Sequence, residues 1–80
     1  MKYRVIAYFD TDIDKFNPPM MIPMPLEDCI ESLRDSAKKG QIPGSEKFQA
    51  YDLGAFDTAD GKFTLNEKPV MVADLTTYGK

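Results

Sequence analysis

Four prolines fall between positions 18 and 25, in the stretch TDIDKFNPPMMIPMP, and they constrain the folding of this chain more than any other feature. Each lacks an amide hydrogen and pushes the residue before it toward extended backbone, so neither a helix nor an interior strand can run through them. The segment is expected to be an extended arm between a first strand and whatever follows. Its Phe16, Met20, Met21, Ile22 and Met24 are apolar, so the arm is expected to fold back over a sheet and close the core. The alternative is a reach across to another subunit.

Chain length adds to the constraint. A domain of 80 residues hides only about 60–65% of its unfolded surface and needs every apolar group it has. We therefore expect a single domain, residues 1–80, helped by self-association, with a homodimer favoured. The first strand points the same way: in Lys2 to Asp10, Tyr3, Val5, Ala7 and Phe9 alternate on one face, and Lys2, Arg4, Ile6 and Tyr8 on the other. Both faces are partly apolar, so Ile6 and Tyr8 are expected to meet a second layer, a partner subunit or a ligand.

Beyond the arm, Pro25 to Lys39 reads as a helix. Pro25 suits the first helical position, Glu27 and Asp28 complement the positive end of the dipole, Lys38 and Lys39 the negative end, and Gly40 can take a left-handed cap. Leu26, Ile30, Leu33 and Ala37 make one apolar stripe with Cys29 on its flank, and Glu31–Arg34 and Asp35–Lys38 or Lys39 can pair on the wet side. Lys47 to Phe56 and Lys62 to Asn66 read as strands, and Pro69 to Ala73 as a last short strand or an extended tail. The expected fold class is α+β, a three- to four-stranded mainly antiparallel sheet with one amphipathic helix packed on one face.

Chemistry is limited by what is missing. Histidine is absent and Cys29 is the only cysteine, which removes intrachain disulfides, Cys/His zinc sites, Ser-His-Asp triads and Cys-His dyads. Cys29 reads as a small buried hydrophobe. The stretch FDTADGKFTLNE, residues 56–67, has the outline of an EF-hand calcium loop, but it puts Phe56 at the first ligand position, where a phenyl ring cannot bind a cation. A hairpin accounts for it better, with Asp60-Gly61 in the turn and Phe56 opposite Phe63. Asp10, Asp12 and Asp14 could gather magnesium for a small nuclease, yet evenly spaced acids in a loop are ordinarily solvated charge. No catalytic residue, metal or cofactor is expected, and the chain is not read as an enzyme.

The net charge of -3 repels phosphate backbones over the molecule as a whole, so nucleic-acid binding would have to be local. Lys2, Arg4 and Tyr8 on the outward side of the first strand, Lys38, Lys39 and Lys47 between helix end and second strand, and Tyr51 are the candidate contacts. The competing reading of each is structural: tyrosine packing a core, lysine serving the helix dipole. The apolar run of MKYRVIAYFD stops at Asp10, short of a signal-peptide core, and no stretch is long enough to span a bilayer, so a cytosolic protein with no membrane partner is expected.

MKYRVIAYFD, the FNPPM arm, the following helix and YDLGAFDTADGKF together resemble the small nonstructural protein of gokushoviruses and related microviruses, phages with circular single-stranded DNA. The shared pattern is an aromatic with Pro-Pro (Phe16, Pro18, Pro19), a Leu-Gly-x-Phe-Asp stretch (Leu53, Gly54, Phe56, Asp57) and an Asp-Gly-x-Phe hairpin (Asp60, Gly61, Phe63). It covers most of the chain. Met20 departs from it where the family often has an aromatic, and GSEKF where the family has His-Pro or similar. The resemblance implies a viral nonstructural protein in the cytoplasm of the bacterial host. Its implied role is binding single-stranded DNA in phage replication, or in the switch to single-strand synthesis and packaging. The alternative is an interaction module that binds a viral or host protein through a sheet edge or the Met-rich arm without touching DNA.

Overall fold

The computed structural model describes residues 2–78. Strand β1 (Lys2–Asp10) lies inside the sheet, paired antiparallel along one edge with β4 (Phe48–Asp57) and along the other with two short strands, β2 (Lys15–Phe16) and β3 (Met20–Ile22). Strand β5 (Lys62–Asp74) pairs with the far edge of β4, giving the order β2/β3–β1–β4–β5. Helix α1 (Leu26–Lys38), the one α-helix among the described residues, crosses one face, and 3-10 turns at Ser45–Lys47 and Leu75–Thr77 close the ends. This is the expected α+β architecture, with four strand positions across the sheet.

The proline arm differs from its expectation. Instead of lying over the sheet, it runs along the free edge of β1, with Phe9 paired to Phe16, and Arg4, Val5 and Ile6 to Ile22, Met21 and Met20. Pro18 and Pro19 interrupt the strand they would otherwise have joined, and Pro23 ends it. Proline is tolerated on an edge because its missing amide then costs no ladder bond. Asn17 N donates to Tyr8 O at 2.8 Å and keeps the interrupted edge attached.

The last two expected strands are one. β5 runs unbroken from Lys62 to Asp74, and Pro69 sits where its register against β4 jumps from Asp52–Val70 to Gly54–Leu65. The intervening Asn66, Glu67, Lys68 and Pro69 bulge out of the ladder, and the bulge is what admits a proline within a strand. Gly54 lies at the same place with φ +142°. A Cβ there would collide with the backbone oxygen of Thr64 and lie 2.8 Å from Leu65 Cα, so β4 and β5 approach through a gap that only glycine leaves open.

The turn between them is a hairpin loop. Gly61 alone takes left-handed backbone, φ +70°, and its N–H donates to Asp57 O at 2.8 Å. The Asp57 and Asp60 carboxylates accept from Ala59 N and Lys62 N, as aspartates that brace turns do. Asp60, beside it in the turn, does not take that conformation.

The core lies between the helix and the even-numbered side of β1. Ile6, Leu33, Ala37, Ala50, Ala73 and Leu75 are buried together, with Tyr8, Met20, Ile22, Leu26, Phe48 and Tyr78 packed around them. On α1 the buried residues are Cys29, Leu33 and Ala37, so Cys29 occupies the centre of the stripe and Ile30 its flank, the reverse of the expected arrangement. Gly40 takes the left-handed cap at φ +70°, and Asp35 pairs with Lys39 at 3.0 Å on the exposed side.

Candidate functional site

Pairing register fixes which side chains share a face, because residues directly opposite in a ladder point the same way. On the helix side the rows are Ile22–Arg4–Ala55–Thr64, Met20–Ile6–Asp52–Val70 and Tyr8–Ala50–Ala73. On the other side they are Tyr3–Phe56–Phe63, Met21–Val5–Gly54–Leu65, Ala7–Tyr51–Met71 and Phe16–Phe9–Gln49–Asp74. Among the described residues no helix covers this second face.

The open face is apolar over most of its extent, with Gln49 and Asp74 the exceptions at one end. Val5 and Ala7 are buried beneath larger neighbours on the same face, while Phe16, Met21, Phe63, Leu65 and Met71 are 46–66% exposed. Aromatics cluster at its two ends. Phe9, Phe16 and Tyr51 meet edge to face with centroids 5.0, 5.2 and 6.2 Å apart, and Phe56 and Phe63 stand 4.7 Å apart at the hairpin end. Soluble proteins seldom leave so continuous an apolar surface uncovered without a use for it.

The four rows of the open face contain no lysine or arginine. The cations nearest to it stand in the end rows of the helix side: Lys2 and Lys62 flank Asp57 one residue beyond the Tyr3–Phe56–Phe63 row, and Lys15 is paired with Asp10 beside Phe16.

The residues expected to contact DNA are dispersed over the molecule. Arg4 lies on the helix side, donating through Nε and Nη2 to the two Asp52 oxygens at 3.2 and 2.6 Å. Asn66 Nδ2 also donates to Asp52 Oδ2 and Asp52 O, each at 2.9 Å. That pair and amide tie β1, β4 and the β5 bulge together under the helix. Tyr8, on the same side, stacks on Phe48 at 5.0 Å, and burial pushes its phenol above the ordinary value.

Lys38 lies over the Tyr78 ring at 5.3 Å, Lys39 pairs with Asp35, and Lys47 stands 3.9 Å from Asp12. Of the seven expected contacts only Tyr51 is on the open face. The assignment of Lys2, Arg4 and Tyr8 to an outward side is reversed in the structure, because the helix takes that side. No signal in β1 marked the open face: the alternating set Tyr3, Val5, Ala7 and Phe9 carries no charge and would by itself be expected inside, whereas the set that includes Lys2 and Arg4 is the one the helix covers.

The remaining candidates have structural settings. Asp10 Oδ1 accepts from Asp12 N at 2.9 Å and Asp14 holds a left-handed turn position, φ +53°, so these aspartates shape the β1–β2 turn. Among the described residues no three metal-ligating side chains are grouped. Cys29 is fully buried, donates to Met24 O at 3.6 Å, and has its thiol pushed up by burial, opposed by Arg4 and reinforced by Asp52 and Asp28. Such a thiol is a poor nucleophile. A groove on the outer flank of α1, lined by residues that include Pro23, Met24, Ile30 and Arg34, is open and carries both signs of charge. Comparison with known proteins finds no matching family model, no matching curated protein and no matching solved structure.

Proposed function

We infer that this chain is a non-enzymatic accessory protein of a single-stranded DNA phage, binding unpaired DNA during replication or the turn to single-strand synthesis and packaging. The observation that carries the reading is the uncovered sheet face with aromatic groups at both ends. Every base has a π-face, so an exposed aromatic platform holds single strands with little regard to sequence, each stacked base being worth about 1–3 kcal/mol. The ordered likeness of FNPPM, YDLGAFD and DGKF to the microvirus nonstructural protein supports the setting in a bacterial cytoplasm.

The electrostatics of this mode are modest. Lys2, Lys15 and Lys62 stand in the end rows of the sheet on the helix side, and their long side chains at the sheet ends can meet about two or three phosphates, for which single-strand counterion release gives a slope of log K against log salt near -1.4 to -2. Anisotropy of a labelled oligothymidylate, titrated at two salt concentrations, tests the reading. Binding with that shallow salt dependence is expected, and no binding at low salt rejects it.

One observation favours a second reading. The middle of the face is aliphatic, formed by Met21, Val5, Leu65 and Met71, with no cation in its rows, a composition suited to a viral or host protein partner. A protein ligand there would be insensitive to salt.

A further inference from the structure

We propose that the open face also binds a second copy of this chain, sheet on sheet, so that the self-associated form and the DNA-bound form exclude each other. The proposal shares with the DNA reading the premise that the open face is the working surface, but its occupant is different and its test separable.

Area is the first argument. Five large side chains, Phe16, Met21, Phe63, Leu65 and Met71, are about half or more exposed on one face. With about 200 Å² for each large side chain, they present roughly 500 Å² per copy. Partly exposed Tyr3, Phe9, Tyr51 and Phe56 extend the patch. Two copies apposed through it cover about 1,000 Å² or more, the size at which an interface becomes specific.

Charge is the second argument. A two-fold interface sets a surface against itself, so any charge in its centre meets its own sign. The four rows of the open face contain one, Asp74, at the outer β5 end of the last row where its carboxylate accepts from Thr76 N, and none at the centre, although the chain carries 10 basic and 13 acidic residues. The charges are kept at the rim and on the other side of the sheet, and that distribution suits self-pairing.

The sheet edges provide the third. Edge-to-edge pairing needs a straight row of free amides. The β2/β3 edge is broken by Pro18 and Pro19, and the β5 edge bulges at Asn66–Pro69 with Lys68 on it. Both edges are blunted, and the face remains. Face-to-face sheets pack about 10 Å apart with strands roughly 30° from parallel, which would give a helix–sheet–sheet–helix assembly.

Sedimentation equilibrium of the full chain across a range of concentrations is the test, with Leu65→Lys and Met71→Lys on the open face and Val70→Lys on the helix side, all checked for native circular dichroism. We expect a dimer for the native chain and for Val70→Lys, and at least a hundredfold weaker association for the two open-face variants. Concentration-dependent amide shifts confined to Tyr3, Val5, Met21, Leu65 and Met71 are expected in the native chain, and this readout needs no variant. A monomer at several hundred micromolar, or shifts mapping to the helix, overturns the proposal.

Adding oligothymidylate separates the two readings. Conversion of dimer to oligonucleotide-bound monomer supports both. A dimer that persists unchanged supports the second copy and rejects stacking of bases on this face. Simultaneous binding of DNA and the second copy to the open face, seen as a dimer whose open-face signals shift with DNA, overturns the exclusion.

Discussion

Replacing Gly54 by alanine should be among the most damaging single changes available in this chain. Two costs combine. The backbone at φ +142° belongs to a region that only glycine enters freely, and holding another residue there costs about 1–3 kcal/mol. The added methyl would also strike the Thr64 backbone oxygen and sit 2.8 Å from Leu65 Cα. Those are main-chain atoms that cannot rotate away, so β5 must shift, a strain of about 1–3 kcal/mol on the scale of overpacked cores. Together they amount to about 2–6 kcal/mol, against a stability of about 4–12 kcal/mol for a domain this size.

Urea unfolding followed by circular dichroism provides the assay. With a slope near 1 kcal/mol per molar, the midpoint should fall by about 2 M or more, or the chain should be unfolded before urea is added. Gly40→Ala is the control: its φ of +70° is also left-handed, but a Cβ there meets nothing within 4 Å, so only about 1–2 kcal/mol of backbone cost applies. A Gly54→Ala midpoint within about 0.5 M of the native one, or equal losses for the two glycines, would refute the close approach of β4 and β5.

Other expectations can be checked on the same material. Asp52→Ala strips Arg4 of its bidentate partner; since the Arg4 side chain is 24% exposed, the loss should be about 2–3 kcal/mol rather than the full buried-pair value. Most of it should be recovered in the Arg4→Met, Asp52→Ala double variant. Burial holds the Tyr8 and Cys29 acids above their ordinary 10.0 and 9.0, so both stabilise the fold while protonated in the folded and unfolded states alike. That contribution is lost as pH climbs through the ordinary values toward the raised ones. The melting temperature should therefore fall above about pH 9, and Tyr8→Phe should flatten the fall at its upper end; no difference between the two would refute the assignment. Cys29 should resist alkylation in the folded chain and react readily in urea. If bases stack at the hairpin end, Phe63→Ala should weaken oligothymidylate binding by about 1–3 kcal/mol, whereas Phe63→Tyr, which keeps the ring, should leave it nearly unchanged.

Local grammar was readable in the chain itself. Helix α1 was legible because Pro25, Glu27, Asp28, Lys38 and Gly40 mark its ends and Leu33 and Ala37 keep its period. β1 was legible from alternation, and the hairpin from Asp60-Gly61 between Phe56 and Phe63. These signals act through backbone preference and side-chain direction within a few residues, so they need no tertiary partner. The excluded chemistries were equally plain, because a chain without histidine and with one cysteine cannot assemble a His-based triad or a Cys/His zinc site.

Tertiary structure alone decided which side of β1 the helix would cover. Alternation separates two faces without saying which is wet, and both sets in Lys2–Asp10 carry enough apolar residues to serve as core. The choice is made by long-range pairing: Arg4 finds Asp52 on β4, which Asn66 of β5 also holds, and Ile6 finds Ala50 and Ala73. With those partners fixed, Tyr8 and Arg4 turn inward, and Phe9, Phe16, Tyr51, Phe63 and Met71 are left on the open face. The arm's place on the sheet edge and the fusion of Lys62–Asp74 across Pro69 follow from the same cause. A proline's cost depends on whether its missing amide would have met a neighbouring strand, and only the assembled sheet settles which strands are neighbours.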